Sequence, residues 1–224
     1  MKRLLSRSLW LAGSSVVALS IISCVDQASA TPPATHSRNQ AQQDQILLGR
    51  QLVIQTDCGG CHGGGSDPSA KGWLAGSTGP DMDFQIGPCY TDPKAKPCFT
   101  TRPRNLTPDN TTGMGRFTER QIFNALRYGL RPGETPDVDI TGTTPGQGNF
   151  PSSPKYLAPP MPWTSWRHMS DSDLHAIVAY LKNGVKPVNH KVADSDGPPD
   201  FWASSYTTEQ IGPNPAKPFP TENE

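Results

Sequence analysis

Hydrophobic positions are sparse along this chain, and where they cluster their spacing predicts three helices within a polar, turn-rich sequence. Ile46, Leu47, Val53 and Ile54 fall mostly on one helical face and predict a first helix from about Asp44 to Asp57, in which Gly49 permits close approach of another helix. A second helix opens at Thr118 as N-cap, with Gln121 as its capping-box partner and Phe117 and Ile122 at the hydrophobic-staple positions, and should end near Gly129. The third opens at Ser170, carries Asp171 and Asp173 in its first turn and Met169 and Leu174 as staple, and runs through Ile177, Val178 and Leu181 to Asn183-Gly184. A separate apolar run of 14 residues, Leu9 to Ile22, follows the basic trio Lys2, Arg3 and Arg7. It is short for a bilayer span and reads as an export signal.

The signal can end in two ways. Residues 1–24 form it if Ile21-Ile22-Ser23-Cys24 is a bacterial lipoprotein box and Cys24 becomes the lipidated first residue; residues 1–30 form it if Ala28-Ser29-Ala30 is an ordinary cleavage site. Either way the expected location is the bacterial periplasm, with membrane anchoring through a lipid on Cys24 in the first case. Residues 25–43, rich in Ala, Gln, Ser, Thr and Pro, suit a tether. Removing the signal leaves 17 basic residues against 20 acidic ones, and no basic patch stands out, so nucleic acid is not an expected partner. The 21 Gly and 24 Pro, with only 18% charged residues, point to a loop-rich domain around few helices.

The chemistry concentrates in Cys58-Gly59-Gly60-Cys61-His62, two thiols three positions apart followed at once by an imidazole, which is the attachment signature of a c-type haem. This spacing brings both sulfurs to the two vinyl groups of one porphyrin and leaves His62 as the proximal iron ligand. A thioredoxin-like pair would need a βαβ setting, and a zinc site would need a second short-spaced Cys/His pair; neither is evident here. With Cys58 and Cys61 used by haem, Cys89 and Cys98 can pair as a disulfide in an oxidising compartment, and Cys24 is left for lipidation or for removal with the signal. A buried porphyrin also adds apolar area around which a short set of helices can fold.

Together with this motif, three further blocks carry a family resemblance: Asn105-Leu106-Thr107-Pro108-Asp109 with Thr112-Gly113-Met114-Gly115 and Ala125-Leu126-Arg127; Pro160-Met161-Pro162-Trp163; and Asp173-Leu174 through Tyr180-Leu181. Residues 44–188 resemble class I cytochromes c, and more narrowly the monohaem domains that accompany bacterial periplasmic dehydrogenases. The resemblance implies an all-α fold in which the first and last helices cross, one covalently bound haem c, and a sixth iron ligand from the loop before the last helix, where Met161 stands. A thioether there favours ferrous iron and raises the reduction potential. Met82, Met114, Met169, His168, His175 and His190 are the competing residues for that position.

Arg102, Arg104 and Arg127 are candidates for pairing with the haem propionates. Asp81 with Asp83, and Asp137 with Asp139, could ligate calcium, although short carboxylate pairs in loops are commonly just solvated. Two insertions, residues 63–102 and 131–157, depart from a compact cytochrome, and a Pro-rich tail, residues 189–224, carries Phe201, Trp202 and Tyr206 as anchors onto the domain or as partner contacts. No nucleophile–base constellation or nucleotide loop is present. The expected function is one-electron transfer between a dehydrogenase donor and an oxidase or another cytochrome as acceptor. A haem sensor or small haem enzyme with a displaceable sixth ligand, and a fixed cytochrome subunit of a dehydrogenase complex, are the alternatives.

Overall fold

The computed structural model describes residues 34–212. The signal, Cys24, the first part of the tether and the end of the tail fall outside the described residues. Within them the chain is helix-rich. In order it forms α1 (Ala34–Gln55), α2 (Cys58–His62), strands β1 (Phe84–Ile86) and β2 (Phe99–Thr101), α3 (Glu119–Tyr128), α4 (Trp163–Trp166), α5 (Asp171–Asn183) and α6 (Thr208–Ile211), with short 3-10 turns between them.

Helix α1 begins ten residues earlier than the apolar spacing predicts, inside the stretch read as a tether. Residues 34–43 contain no apolar stripe, so periodicity is silent there, while Ala, Gln and Arg are good helix formers. The buried face is the expected one except at Leu47. Gly49 and Val53 are buried and Ile46 is partly buried, whereas Leu47 is 62% exposed. Gly49 is the closest point of the α1–α5 packing: a Cβ built there would sit 1.8 Å from the Ala176 carbonyl oxygen.

Helices α3 and α5 form where their caps lie. Thr118 Oγ1 accepts from the Gln121 N–H and Gln121 Oε1 accepts from the Thr118 N–H, each at 3.1 Å, and Gly129 closes the helix in the left-handed region at φ 68°. Ser170 Oγ accepts from the Asp173 N–H at 3.1 Å. Every residue of α5 from Ala176 to Leu181 is buried, so this helix is the centre of the principal core, joined by Val53, Leu74, Leu106, Ile122 and Leu126.

The first insertion adds an element that the all-α expectation lacks. Strands β1 and β2 pair antiparallel with Phe84 opposite Thr101, and beyond them Cys89 and Cys98 form a disulfide with Cα atoms 5.4 Å apart. Three-residue strands are too short for alternation to register in sequence.

A second apolar cluster is built from β2, the second insertion and the tail. Phe99, Leu130, Ile140, Phe150, Tyr156, Trp163 and Trp202 are all buried in it. Trp202 meets Phe99 edge-on at 5.0 Å, and Tyr206 lies against Tyr156 and Trp163 at 5.2 and 4.9 Å, so the described part of the tail is anchored by its aromatics. No described helix is long and apolar enough to cross a membrane.

Candidate functional site

Helix α1 ends at Gln55, and Asp57, at φ 53°, turns the chain sharply into α2. Of the two glycines of the motif, Gly59 is required by this packing, whereas Gly60 faces a side-chain end that can move. A Cβ at Gly59 would meet the Trp73 ring at 2.3 Å and the Gly65 carbonyl oxygen at 2.2 Å, and one at Gly60 would meet the Asp57 carboxylate at 2.3 Å. Trp73 thus backs α2, and its Nε1–H donates to the Tyr180 hydroxyl at 3.1 Å, tying the motif to α5.

Cys58, Cys61 and His62 open on a cleft of about 900 Å³, within the size range of cofactor sites. Its apolar walls include Leu106, Phe117, Ile122, Leu126, Ile177 and Leu181, and Met161 and Met114 also line it. Burial pushes both thiols up, with Asp57 adding to the rise at Cys61, so at neutral pH neither is a ready thiolate. Burial also lowers the His62 imidazole, which keeps it neutral, the state in which it can ligate iron. Its Nδ1 lies 2.6 Å from the Arg104 carbonyl oxygen. A carbonyl can only accept, so Nδ1 carries the proton and Nε2 is left with its lone pair.

The donor set and the walls fit a haem: two thiols and an imidazole at one place, thioethers elsewhere on the lining, and apolar surface between them. Of the competitors for the sixth ligand, only Met114 shares the lining with Met161. His175 stacks on Phe123 at 4.6 Å, and His190 Nε2 lies 2.9 Å from the Ser77 carbonyl oxygen. His168, Met169 and Met82 are absent from the lining.

Arg102 and Arg104 line the cleft, and both are held by the tail. Arg102 pairs with Asp83 at 3.1 Å and Asp196 at 2.9 Å, while Arg104 donates to the Ala193 carbonyl at 3.0 Å and to Ser195 Oγ at 3.3 Å. Arg127 is not in the lining; its guanidinium pairs with Asp171 and donates to the Arg167 carbonyl, on the side of α3 that faces α4 and α5. Arg116, Arg131 and Lys191 also line the cleft, and nothing in their sequence surroundings singled them out. Three of the four carboxylates weighed for calcium are engaged by arginines: Asp83 by Arg102, and Asp137 and Asp139 by Arg120 at 3.6 and 2.8 Å. Among the described residues no group of three or more His, Cys, Asp or Glu is arranged to hold a metal ion.

No protein-family model matches the chain. Individual proteins do. The chain is 30% identical over 161 residues to the gluconate 2-dehydrogenase cytochrome c subunit of Pantoea cypripedii, a match covering 71% of this chain and 28% of that protein. It is 28% identical over 163 residues to the fructose dehydrogenase cytochrome subunit of Gluconobacter japonicus, covering 73% and 25%. It is 31% identical over 161 residues to the cytochrome c subunit of the quinone alcohol dehydrogenase of Gluconacetobacter polyoxogenes, covering 71% and 25%. The chain thus spans about a quarter of the length of the curated relatives it matches. With a Cys-x-x-Cys-His motif set on an apolar cleft and relatives of this kind, the chain is a homologue of the cytochrome c subunits of bacterial dehydrogenases.

Proposed function

We propose that this chain is an electron-transfer protein with a class I cytochrome c fold, holding one covalently bound haem c and passing single electrons in the bacterial periplasm. The observation that carries this reading is the apolar cleft on which Cys58, Cys61, His62 and Met161 all open. The donor would be a dehydrogenase, as the names of the relatives suggest, and the acceptor an oxidase or another cytochrome.

When bound, haem supplies a one-electron ferric/ferrous couple. The chain's residues do the rest. Cys58 and Cys61 would hold the macrocycle through thioethers, and His62, kept neutral by burial and oriented by the Arg104 carbonyl, would present Nε2. Met161 supplies a soft sulfur from a loop stiffened by Pro159, Pro160 and Pro162, and Leu106, Leu126 and Leu181 exclude water. Arg102 and Arg104, which line the cleft, would share their charge with propionates, while Arg127 would act only from a distance. If His62 and Met161 both held the iron, no position would be left for substrate, and the chain would perform no bond-making chemistry of its own. Export follows the signal at residues 1–24 or 1–30, and in the first case a lipid on Cys24 tethers the domain to the membrane.

The test is spectroscopic. Pyridine haemochrome and intact mass should give one covalent haem per chain. Met161→Leu should abolish the far-red charge-transfer band of methionine-ligated ferric haem and lower the reduction potential. Loss of that band in Met114→Leu, with M161L unchanged, moves the ligand to Met114. Binding of CO by the native ferrous protein at neutral pH would instead support a sensor or small haem enzyme. A second reading, a fixed subunit, is favoured by the relatives all being named as subunits, and predicts co-purification with a dehydrogenase.

A further inference from the structure

The carbonyl that accepts the His62 proton belongs to a segment with no regular structure of its own. Residues 102–107 are neither helix nor strand, so no ladder fixes the orientation of the Arg104–Asn105 peptide plane. That orientation matters, because the strength and direction of the Nδ1–H bond set how an axial imidazole is turned and how much electron density it gives to iron.

The side chain of Asn105 supplies what the backbone lacks. It is 2% exposed and nearly saturated. Its Nδ2 donates to the Val188 carbonyl at 2.8 Å and to Thr112 Oγ1 at 3.0 Å, while its Oδ1 accepts from the Thr107 N–H at 2.9 Å and the Thr107 hydroxyl at 2.8 Å. The segment that it grips is tied to the same threonines and, further along, to β2. The Val188 N–H donates to Thr107 Oγ1 at 3.0 Å, the His190 N–H to Thr112 Oγ1 at 3.1 Å, and Asp196 and Thr100 exchange backbone bonds at 2.7 and 2.9 Å. The other side of the peptide is closed as well: a Cβ at Gly76 would meet Asn105 N at 2.9 Å and the Arg104 carbonyl carbon at 3.1 Å, and Gly76 itself donates to the His62 carbonyl at 2.7 Å.

We propose that Asn105, by gripping residues 188–190 of the tail, is the positioning residue for His62: it locks the Arg104 carbonyl and thereby the axial imidazole. The proposal rests on His62 being an iron ligand. It gives the start of the tail a role in setting the redox site, distinct from the anchoring done further along by Trp202 and Tyr206.

The experiment compares Asn105→Ala with Asn124→Ala in the full-length holoprotein. Asn124 is equally buried and donates from Nδ2 to the Val138 carbonyl at 3.1 Å, away from His62, so it reports the cost of losing a buried amide alone. Both variants should melt lower than wild type. Only N105A should change the g anisotropy of the low-spin ferric haem, and it should raise the ferrous-to-ferric ratio about threefold at fixed solution potential, since a loosened Nδ1–H bond makes the imidazole a weaker donor. Thr107→Val, which keeps the shape but removes two of these bonds, should shift both readouts the same way by less, and stands in if N105A takes up no haem. Wild-type g values and potential in holo N105A, or in T107V where N105A cannot be made, overturn the proposal. Failure of the underlying reading looks different: a His62→Gly variant that keeps the wild-type low-spin spectrum shows that His62 is not an axial ligand.

Discussion

Replacing Gly49 by alanine tests whether the contact between α1 and α5 is as close as it must be to hold α2 against the core. The new Cβ would lie 1.8 Å from the Ala176 carbonyl oxygen, 2.5 Å from its carbon and 2.8 Å from Tyr180 Cβ. Since a carbon–oxygen contact closer than about 3.3 Å is repulsive, α1 must withdraw locally by roughly 1.5 Å. Gaps of about 0.5–1 Å already forfeit a quarter to a half of each dispersion contact, so Ile46 and Val53 lose much of their packing. The obstacle is backbone, not a movable side-chain end, which places the cost at the upper end of overpacking, about 3 kcal/mol. Alanine returns about 1 kcal/mol through its better helix propensity. The net is about 2 kcal/mol, or a melting temperature roughly 4–8 °C lower for a chain of this size. Far-UV circular dichroism and the haem absorption band, followed through the same thermal scan of holoprotein, should fall together. Gly79→Ala is the control: it has extended backbone at φ −178° and nothing within 4 Å of the added methyl, so its midpoint should stay within about 0.5 kcal/mol of wild type. A G49A midpoint equal to or above that of wild type would refute the close packing.

Thr118→Ala removes one half of a complete capping box and should cost about 1 kcal/mol, read as a midpoint lower by about 2–4 °C. The double change Cys89→Ser with Cys98→Ser opens a loop of ten residues, a sequence separation of 9, and by chain entropy should cost about 2–3 kcal/mol in denaturant melts. Its visible spectrum should match wild type, because neither cysteine lines the cleft. Hydrogen bonds from Thr112, backbone first and then side chain, hold the Asp109 carboxyl below its usual range. A depressed carboxylate stabilises the fold above its unfolded pKa of about 3.9 and loses that contribution as pH falls through the folded value. Asp109→Asn should therefore melt lower than wild type at pH 7, with the difference closing in acid; a constant difference across that range would show that the carboxylate charge is not involved.

What could be read from sequence was local. The caps of α3 and α5 are specified within four residues of each other, so Thr118, Gln121, Gly129 and Ser170 stand where the pattern puts them. The motif from Cys58 to His62 is equally self-contained. Helix α1 was legible only in its apolar half, and there one residue misled: Leu47 looks like core by type but is exposed, while Ile46, Val53 and the close approach at Gly49 stand where the sequence puts them. Of the second apolar cluster, only the anchoring by the tail aromatics Phe201, Trp202 and Tyr206 was legible. Its members come from β2, the second insertion, α4 and the tail, and such pairings are set by packing between distant segments. The His62 acceptor was hidden for another reason: it is a backbone carbonyl, which every residue possesses.

The two insertions and the tail take on a common purpose once the second cluster is set beside the cleft. Met161 is followed after one proline by Trp163, whose ring is buried in that cluster and stacks on Tyr156 at 5.7 Å. Tyr156 is bridged to Leu130, and the Leu157 N–H donates to the Gly129 carbonyl at 2.6 Å, so the loop carrying Met161 is fastened to the end of α3. Gly129 serves both parts of this arrangement. It closes α3 in a left-handed conformation, and it leaves room for Trp163, whose ring would lie 2.2 Å from any Cβ at that position. On the opposite side, α2 is backed by Trp73 and α5, which belong to the principal core. Leu106 and Leu181 of the principal core line the cleft and Met161 packs against that core, while Leu157, Ala158 and Trp163 fasten its loop to the second. A loop hung from short connections alone would be free to shift. Here the residues that look like excess length in the sequence, 131–157 and the tail up to Tyr206, supply the apolar mass that holds the loop in place.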